Sequence, residues 1–156
     1  MADDGDGRHG RSVTESAKMS GVATPEQLRE EMPFAALIGA ELIEATPEVV
    51  RGRMEWAPER CTAGGLLHGG ALMAMADGGG GALAFLNLPE GAVGTATIES
   101  KTNFMRGVRD GAVTATSRVL HKGRTTVVIE TELARESDGA LVAKVTQTQA
   151  FHYPRQ

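Results

Sequence analysis

One stretch constrains this chain more than any other. Residues 66–86 read LLHGGALMAMADGGGGALAFL, and their only formally charged side chain is Asp77. A helix that is apolar on all sides belongs in a core. The stretch therefore predicts one long buried helix over roughly residues 69–86, ending near Asn87.

The rest of the chain alternates in the way that β-strands do. Six runs rich in Val and Thr are predicted as strands, at residues 40–46, 49–56, 93–105, 111–120, 124–136 and 140–152. Gly-containing turns such as Ser137-Asp138-Gly139 join the later strands and predict an antiparallel sheet. One face of that sheet needs a cover. We therefore expect an α+β fold in which an antiparallel β-sheet wraps around a long central α-helix.

Length and composition predict one ordinary domain. The chain has 156 residues and a formal net charge of -4, so a nucleic-acid partner is not expected. Residues 1–20, which include His9, are expected to form a disordered N-terminal tail. Residues 21–156 are expected to form the single domain, with a short helix capped by Thr24.

The single cysteine and the length of the apolar runs indicate the cellular compartment in which the protein is expected. Cys61 has no partner for an intramolecular disulfide, which fits a reducing compartment. No signal peptide is recognisable, and no apolar run is long enough to span a bilayer. The expectation is a cytoplasmic protein that does not enter a membrane.

Two features of the long helix are costly. Each of the four glycines at 78–81 costs ~1 kcal/mol in a helix interior relative to alanine. A carboxylate such as Asp77 on an apolar helix is unfavourable unless it is paired. The glycines fit either close packing against the sheet or a partner helix, or room for a ligand. Asp77 fits either a core acid bonded to a strand Ser or Thr, or a catalytic group.

The start of the helix offers a site for negative charge. His68-Gly69-Gly70 exposes backbone N–H groups at the positive end of the helix. Such groups can stabilise an oxyanion. Together with the acid, they form the pattern HGG, six residues, Asp.

This pattern resembles the helix motif of hotdog-fold acyl-CoA thioesterases of the phenylacetic-acid-degradation and 4-hydroxybenzoyl-CoA type. The similarity extends through TATIESKTNFMRG, VLHKGRTTVVIETEL and DGALVAKVTQTQAF, and covers roughly residues 33–152. It implies that Asp77 is the nucleophile or general base and that the Gly69 N–H binds the thioester carbonyl. It implies no metal or redox cofactor, with coenzyme A present as part of the substrate.

Further contacts are expected around this pair. The expected substrate-binding residues are Thr62, His68, Gly70, Gly81 and Asn103, and the expected CoA-binding residues are Lys122, Gly123 and Arg124. Two positions depart from the family pattern: Thr62 stands where Asn or Gln is common, and Gly81 stands where the hydroxybenzoyl type has a hydroxyl. Cys61 is not expected to act as a nucleophile, because the sequence shows no partner base for it. His121 belongs to a hairpin tip, and His152 is expected to be structural.

Helix geometry adds a further expectation. Gly69 and Asp77 are eight residues apart, which is ~12 Å along a helix. One thioester carbonyl cannot reach both within a subunit. Two antiparallel helices across a two-fold axis would join them, so a homodimer is expected, with a dimer of dimers as the larger assembly. The alternatives are a hotdog hydratase or dehydratase and a non-catalytic acyl-CoA-binding module.

Overall fold

The computed structural model describes Gln27 and residues 30–154. The expected tail at 1–20 and the expected cap at Thr24 lie outside these residues. Gln27, Glu30 and Glu31, the described residues that belong to the expected short helix, are helical. They are followed by a further short helix that the sequence analysis did not predict, α1 (Pro33–Leu37). A proline at its first position suits a helix start, because the ring presets φ and no N–H is lost from the helix ladder.

The predicted elements are present in the predicted order. After α1 come β1 (Ala40–Ala45), β2 (Val50–Glu55), a 3-10 turn (Pro58–Arg60), α2 (Gly69–Leu86), β3 (Gly94–Phe104), β4 (Ala112–Lys122), β5 (Thr126–Arg135) and β6 (Leu141–His152). Each strand ends within one or two residues of its predicted limit. Among the described residues, no helix is long and apolar enough to cross a membrane.

All six strands form one antiparallel sheet in the order β1-β2-β4-β5-β6-β3. The chain leaves α2 and crosses to the far edge, where β3 pairs with β6 rather than with β4. The pairing shifts register between Thr97 and Glu99, so Ile98 forms a bulge on this edge strand. With a six-stranded sheet curled against one long helix, the fold is the expected hotdog arrangement.

Helix α2 packs on the sheet through two core clusters. Leu72 and Met75 pack with Met54 of β2, and Leu83 packs with Ile129 of β5. Each such side chain contributes about 1.5–3 kcal/mol when fully buried. These contacts fix the helix against the sheet.

The helix is not buried on all sides, contrary to the expectation from its composition. Its buried residues are Leu72, Met75, Ala76, Gly80, Ala82, Leu83 and Ala84. Gly70 and Met73 are exposed, while Asp77 and Gly78 are half-buried. One apolar stripe of α2 therefore faces outward within a single subunit, and Asp77 lies in that stripe.

Candidate active site

The start of α2 is held by backbone hydrogen bonds to two loops. His68 N–H donates to Arg60 O at 2.8 Å, and Leu67 N–H donates to Val108 O at 2.9 Å. The indole N–H of Trp56 donates to Gly65 O at 3.0 Å. The direction of the first helical N–H groups is therefore fixed by the surrounding chain.

His68 is the N-cap of α2. Its Nδ1 accepts a hydrogen bond of 2.8 Å from the Gly70 N–H. The ring proton of a neutral imidazole must then sit on Nε2. This bond occupies both the Gly70 N–H, which was expected to bind substrate, and the ring nitrogen through which His68 could act as a base.

Gly69 differs from its neighbour. Within the described residues its N–H has no hydrogen-bond partner, as is usual for the first N–H groups of a helix. The ring of Phe104 covers it, since a Cβ added to Gly69 would lie 2.9 Å from Phe104 Cζ. A free, oriented N–H beside an aromatic ring can donate a hydrogen bond to a carbonyl oxygen.

Asp77 has one side-chain partner. Thr97 Oγ1 donates to Asp77 Oδ1 at 3.0 Å. Thr97 in turn accepts from Gln149 Nε2 at 2.7 Å, and Thr95 Oγ1 bonds Gln149 Oε1 at 3.0 Å. The expected bond to a strand hydroxyl is therefore present, but it leaves the carboxylate half-buried in the open stripe and able to meet a ligand.

Two of the four glycines, Gly79 and Gly80, allow polar strand side chains to approach the helix backbone closely. A Cβ would lie 3.0 Å from Ser117 Oγ at Gly79, and 2.4 Å from the Gln147 carboxamide at Gly80. At Gly81 it would lie 4.0 Å from Gln149 Nε2. Close packing against the sheet therefore explains Gly79 and Gly80, whereas a Cβ at Gly81, which was expected to contact substrate, would make only ordinary van der Waals contact.

Gly78 is different, because a Cβ there would meet no atom of the described part of the chain within 4 Å. It is half-buried and follows Asp77 directly. The free volume beside the acid therefore lies at Gly78.

Two expected contacts lie away from Gly69 and Asp77 within the subunit. Asn103 is exposed and alternates on β3 with Thr102 and Phe104, which face the helix side, so its side chain points away from α2. Thr62 is exposed and lies in the loop between Cys61 and Leu67, which form an isolated β-bridge. Arg60, which binds the His68 N–H, precedes this bridge.

The expected CoA-binding residues lie at the β4–β5 turn. The Gly123 N–H donates to Thr126 O at 2.8 Å and is not free for a phosphate. Lys122 and Arg124 are exposed, and Tyr153 Oη donates to Arg124 O at 2.6 Å, which fixes the turn backbone. Their side chains remain available to an anion.

Other candidate groups have simple roles. The Cys61 thiol bonds Ala57 O at 3.2 Å. His121 and His152 are exposed strand residues. In the described part of the chain, no group of three or more His, Cys, Asp or Glu side chains could hold a metal ion.

The sequence analysis missed Phe104, and no contact of Gln149 was expected. The bulge at Ile98 reverses the alternation of β3, so that Thr97 before it and Phe104 after it both face the helix. The sequence contains no local pattern for such a bulge.

Comparison with known proteins identifies the family. The profile of the thioesterase superfamily matches residues 64–142, half of the chain. This protein therefore belongs to the thioesterase superfamily, and its hotdog fold agrees with that assignment.

Curated relatives carry esterase names. The Saccharolobus solfataricus protein SSO2140 is 42% identical over 81 residues, which cover 52% of this chain and 56% of that protein. The Pseudomonas aeruginosa protein PA1618 is 37% identical over 84 residues, which cover 53% and 57%. The chain thus spans little more than half the length of these relatives.

Solved structures share the fold. A mutant of the thioesterase PA1618 from Pseudomonas aeruginosa superposes with a TM-score of 0.77 at 29% identity, covering 83% of this chain and 94% of that one. The conserved protein PA5202 of the same organism gives a TM-score of 0.71 at 33% identity, covering 80% and 98%. The thioesterase HI1161 of Haemophilus influenzae, at 24% identity and a TM-score of 0.78 over 84% and 92% of the two chains, shows the fold alone.

Proposed function

We propose that this protein hydrolyses acyl-CoA thioesters, in a site shared between two subunits. One observation carries the proposal: α2 presents an N–H at Gly69 that has no partner among the described residues, and an accessible carboxylate at Asp77. The first is an oxyanion donor and the second a base or nucleophile, which are the two groups that acyl transfer requires.

The proposed reaction begins with the thioester carbonyl oxygen accepting the Gly69 N–H. Asp77 then either removes a proton from a water that adds to the carbonyl carbon, or adds to that carbon itself. In the first route the tetrahedral intermediate expels the CoA thiolate, which takes the proton from Asp77. In the second route the thiolate leaves a mixed anhydride, which water hydrolyses. Both routes yield the free acid and CoA without a metal or redox cofactor.

Distance within the subunit supports a shared site. Gly69 and Asp77 belong to one continuous helix, so they are ~12 Å apart. Each must come within ~3 Å of one thioester. A two-fold axis that sets α2 against α2 of a second copy brings Gly69 of one subunit to Asp77 of the other.

Two exposed surfaces support a homodimer. Strand β3 is an edge strand with unpaired backbone groups on its outer side, and its Ile98 is 63% exposed. The outward stripe of α2 is apolar apart from Asp77. An open strand edge and an apolar helix face both favour a partner, and pairing two dimers would give the larger assembly.

The β4–β5 turn would bind the phosphates of CoA. Val127, Gln149 and Thr97 pair in one row across the sheet, so the turn lies at the same end of the sheet as the Thr97 contact to Asp77. Arg124 is three residues beyond Val127, about 10 Å further along the strand direction. That separation suits phosphates on the long arm of CoA, with Lys122 and Arg124 as their charge partners.

The alternatives have less support. A hydratase or dehydratase of this fold would need a histidine base, and Nδ1 of His68 is already bonded to Gly70. An acyl-CoA-binding module would not need Asp77 in an accessible position. A cytoplasmic location is part of the proposal, since CoA thioesters are the proposed substrates.

The test is thiol release from short, medium, long and aromatic acyl-CoAs. Asp77→Ala should lower kcat by at least ~10²-fold, because a positioned base or nucleophile contributes that much. Circular dichroism should show that the variant keeps its fold. Full turnover by a folded Asp77→Ala variant would contradict the proposal, and CoA-ester binding without turnover by the wild type would favour the binding module.

A further inference from the structure

A chain of hydrogen bonds leads from Asp77 into the sheet and ends on groups that the proposed reaction does not use. Gln149 lies on β6 and is 1% exposed. Its carboxamide bonds Thr97 through Nε2 at 2.7 Å and Thr95 through Oε1 at 3.0 Å. Both partners belong to the edge strand β3, beside the proposed dimer contact.

The Asp77 carboxylate determines which group donates and which accepts in every hydrogen bond of this series. A carboxylate only accepts, so the Thr97 hydroxyl gives its single proton to Asp77 Oδ1. Thr97 can then only accept from the next residue, which must be the NH₂ group of Gln149. The Gln149 oxygen therefore faces Thr95, whose hydroxyl donates to it.

The opposite orientation of the carboxamide would break the contact to the acid. With its oxygen toward Thr97, Gln149 would compete for the one hydroxyl proton that Asp77 receives. The buried amide thus decides whether Thr97 donates to Asp77. Described residues make no hydrogen bond to Oδ2 of Asp77, so that oxygen is left for the reaction.

We propose that Gln149 is a positioning residue for thioester hydrolysis, acting through Thr97. By donating to Thr97 it commits the hydroxyl proton to Asp77 Oδ1 and turns Oδ2 toward the water or the thioester carbon. This inference rests on the function proposed above.

Gln147 is a matched control on the same strand and the same face. It is also fully buried, and its Nε2 lies 3.5 Å from the backbone oxygen of Asp77. Its carboxamide contacts the helix at Gly80, and no described residue bonds its Oε1. It shares the burial and chemistry of Gln149 but not the bond to Thr97.

The experiment compares kcat and KM for three variants on the best acyl-CoA substrate. Gln149→Met keeps the length of the side chain but removes the donor to Thr97, and should lower kcat ~10-fold, the equivalent of one hydrogen bond. KM should stay within about twofold, because CoA contacts elsewhere set binding. Gln149→Glu keeps the shape but accepts the Thr97 proton, and should lower kcat at least as far. Gln147→Met should keep the kcat of the wild type.

A double-mutant cycle separates positioning from packing. Thr97→Val should lose kcat and Thr97→Ser should restore it, since Ser keeps the hydroxyl. If Gln149 acts through Thr97, adding Gln149→Met to Thr97→Val should cause no further loss of kcat. Two results would overturn the positioning role of Gln149 but not the proposed function. One is a Gln149→Met variant with a lower Tm and full kcat, and the other is fully additive losses of kcat in the cycle. No turnover by the wild type on any acyl-CoA would overturn the proposed function and this role with it.

Discussion

Gly78 and Gly80 lie two positions apart in α2, and their surroundings give a methyl group opposite effects. At Gly78 an added Cβ meets nothing within 4 Å, whereas at Gly80 it would meet the buried Gln147 carboxamide at 2.4 Å. Gly78→Ala should therefore stabilise the protein by about 0.5–1 kcal/mol through helix propensity. Gly80→Ala should destabilise it by about 1–2 kcal/mol, because overpacking exceeds that gain.

Urea unfolding of both variants at one fixed protein concentration measures these differences. The Gln147 side chain that the methyl group at position 80 would meet is fully buried. Equal losses of unfolding free energy in the two variants would contradict the difference in packing and would mean that Gly78 is also in close contact.

At the residue scale, sequence reasoning proposed Gly69 and Asp77 as the reacting pair but missed the residues around them. These two positions stand out in the sequence because helix spacing and charge are local properties. Phe104 and Gln149 were not found, since their positions depend on the bulge at Ile98 and on the pairing of β3 with β6. Both depend on residues far apart in the sequence.

At the scale of elements, the CoA contacts proposed for the β4–β5 hairpin predict that substrate binding can be weakened without affecting the chemical step. Arg124→Ala should raise KM for CoA thioesters more than it lowers kcat, because a phosphate contact far from the thioester contributes uniform binding. Arg118→Ala is the control, since Arg118 is also an exposed arginine of this hairpin but lies away from its tip. Steady-state kinetics at low salt measure the effect. The same KM in both variants would mean that Arg124 is an ordinary turn residue with no part in CoA binding.

The β5–β6 turn gives a pH-dependent prediction. Arg135 Nε donates to Asp138 Oδ1 at 2.9 Å, and the Ala140 N–H donates to the same oxygen at 3.0 Å. The Arg135 bond first, and then the Ala140 bond, lower the pKa of Asp138 from 3.8 to about 2. A lowered folded-state pKa stabilises the fold above the unfolded value, and this contribution is lost as the pH falls through the folded value.

Asp138→Asn should therefore have a lower Tm than the wild type at neutral pH. The difference should shrink between about pH 4 and pH 2, as the wild-type carboxyl becomes protonated. Thermal melts across this range test it, and a difference in Tm that does not change with pH would contradict the assigned charge interaction.

The strands and the long helix were predictable because each shows a regular pattern of apolar residues or is bounded by recognisable turn residues. Gly111 and Gly139 both have φ of +69°, as their turn positions required. The short helix α1 was missed because its five residues bury no side chain and show no periodic pattern. Pro33 at its first position was the available signal.

At the scale of the whole molecule, composition correctly predicted the wrapped helix but not its open side. Residues 69–86 are apolar nearly all round, yet the sheet of one subunit covers only part of that surface. The difference is physical, since a single six-stranded sheet cannot enclose a helix. An apolar stripe that includes Asp77 is therefore left open within one subunit, and we propose that a second copy covers it.

Subunit complementation tests that claim most directly. Gly69→Trp blocks the free N–H and displaces Phe104, and Asp77→Ala removes the base, so each homodimer should be inactive. After subunit exchange, a heterodimer of the two carries both lesions in one site and none in the other. It should recover up to about half of the wild-type activity.

The reciprocal mixture is the control. A heterodimer of the wild type with the Gly69→Trp, Asp77→Ala double variant has one lesion in each site and should be inactive. Native mass spectrometry confirms exchange in both mixtures. Activity in the first heterodimer and none in the second is the predicted result, whereas activity only in the second would show that Gly69 and Asp77 serve one thioester within a single subunit and would contradict the shared site.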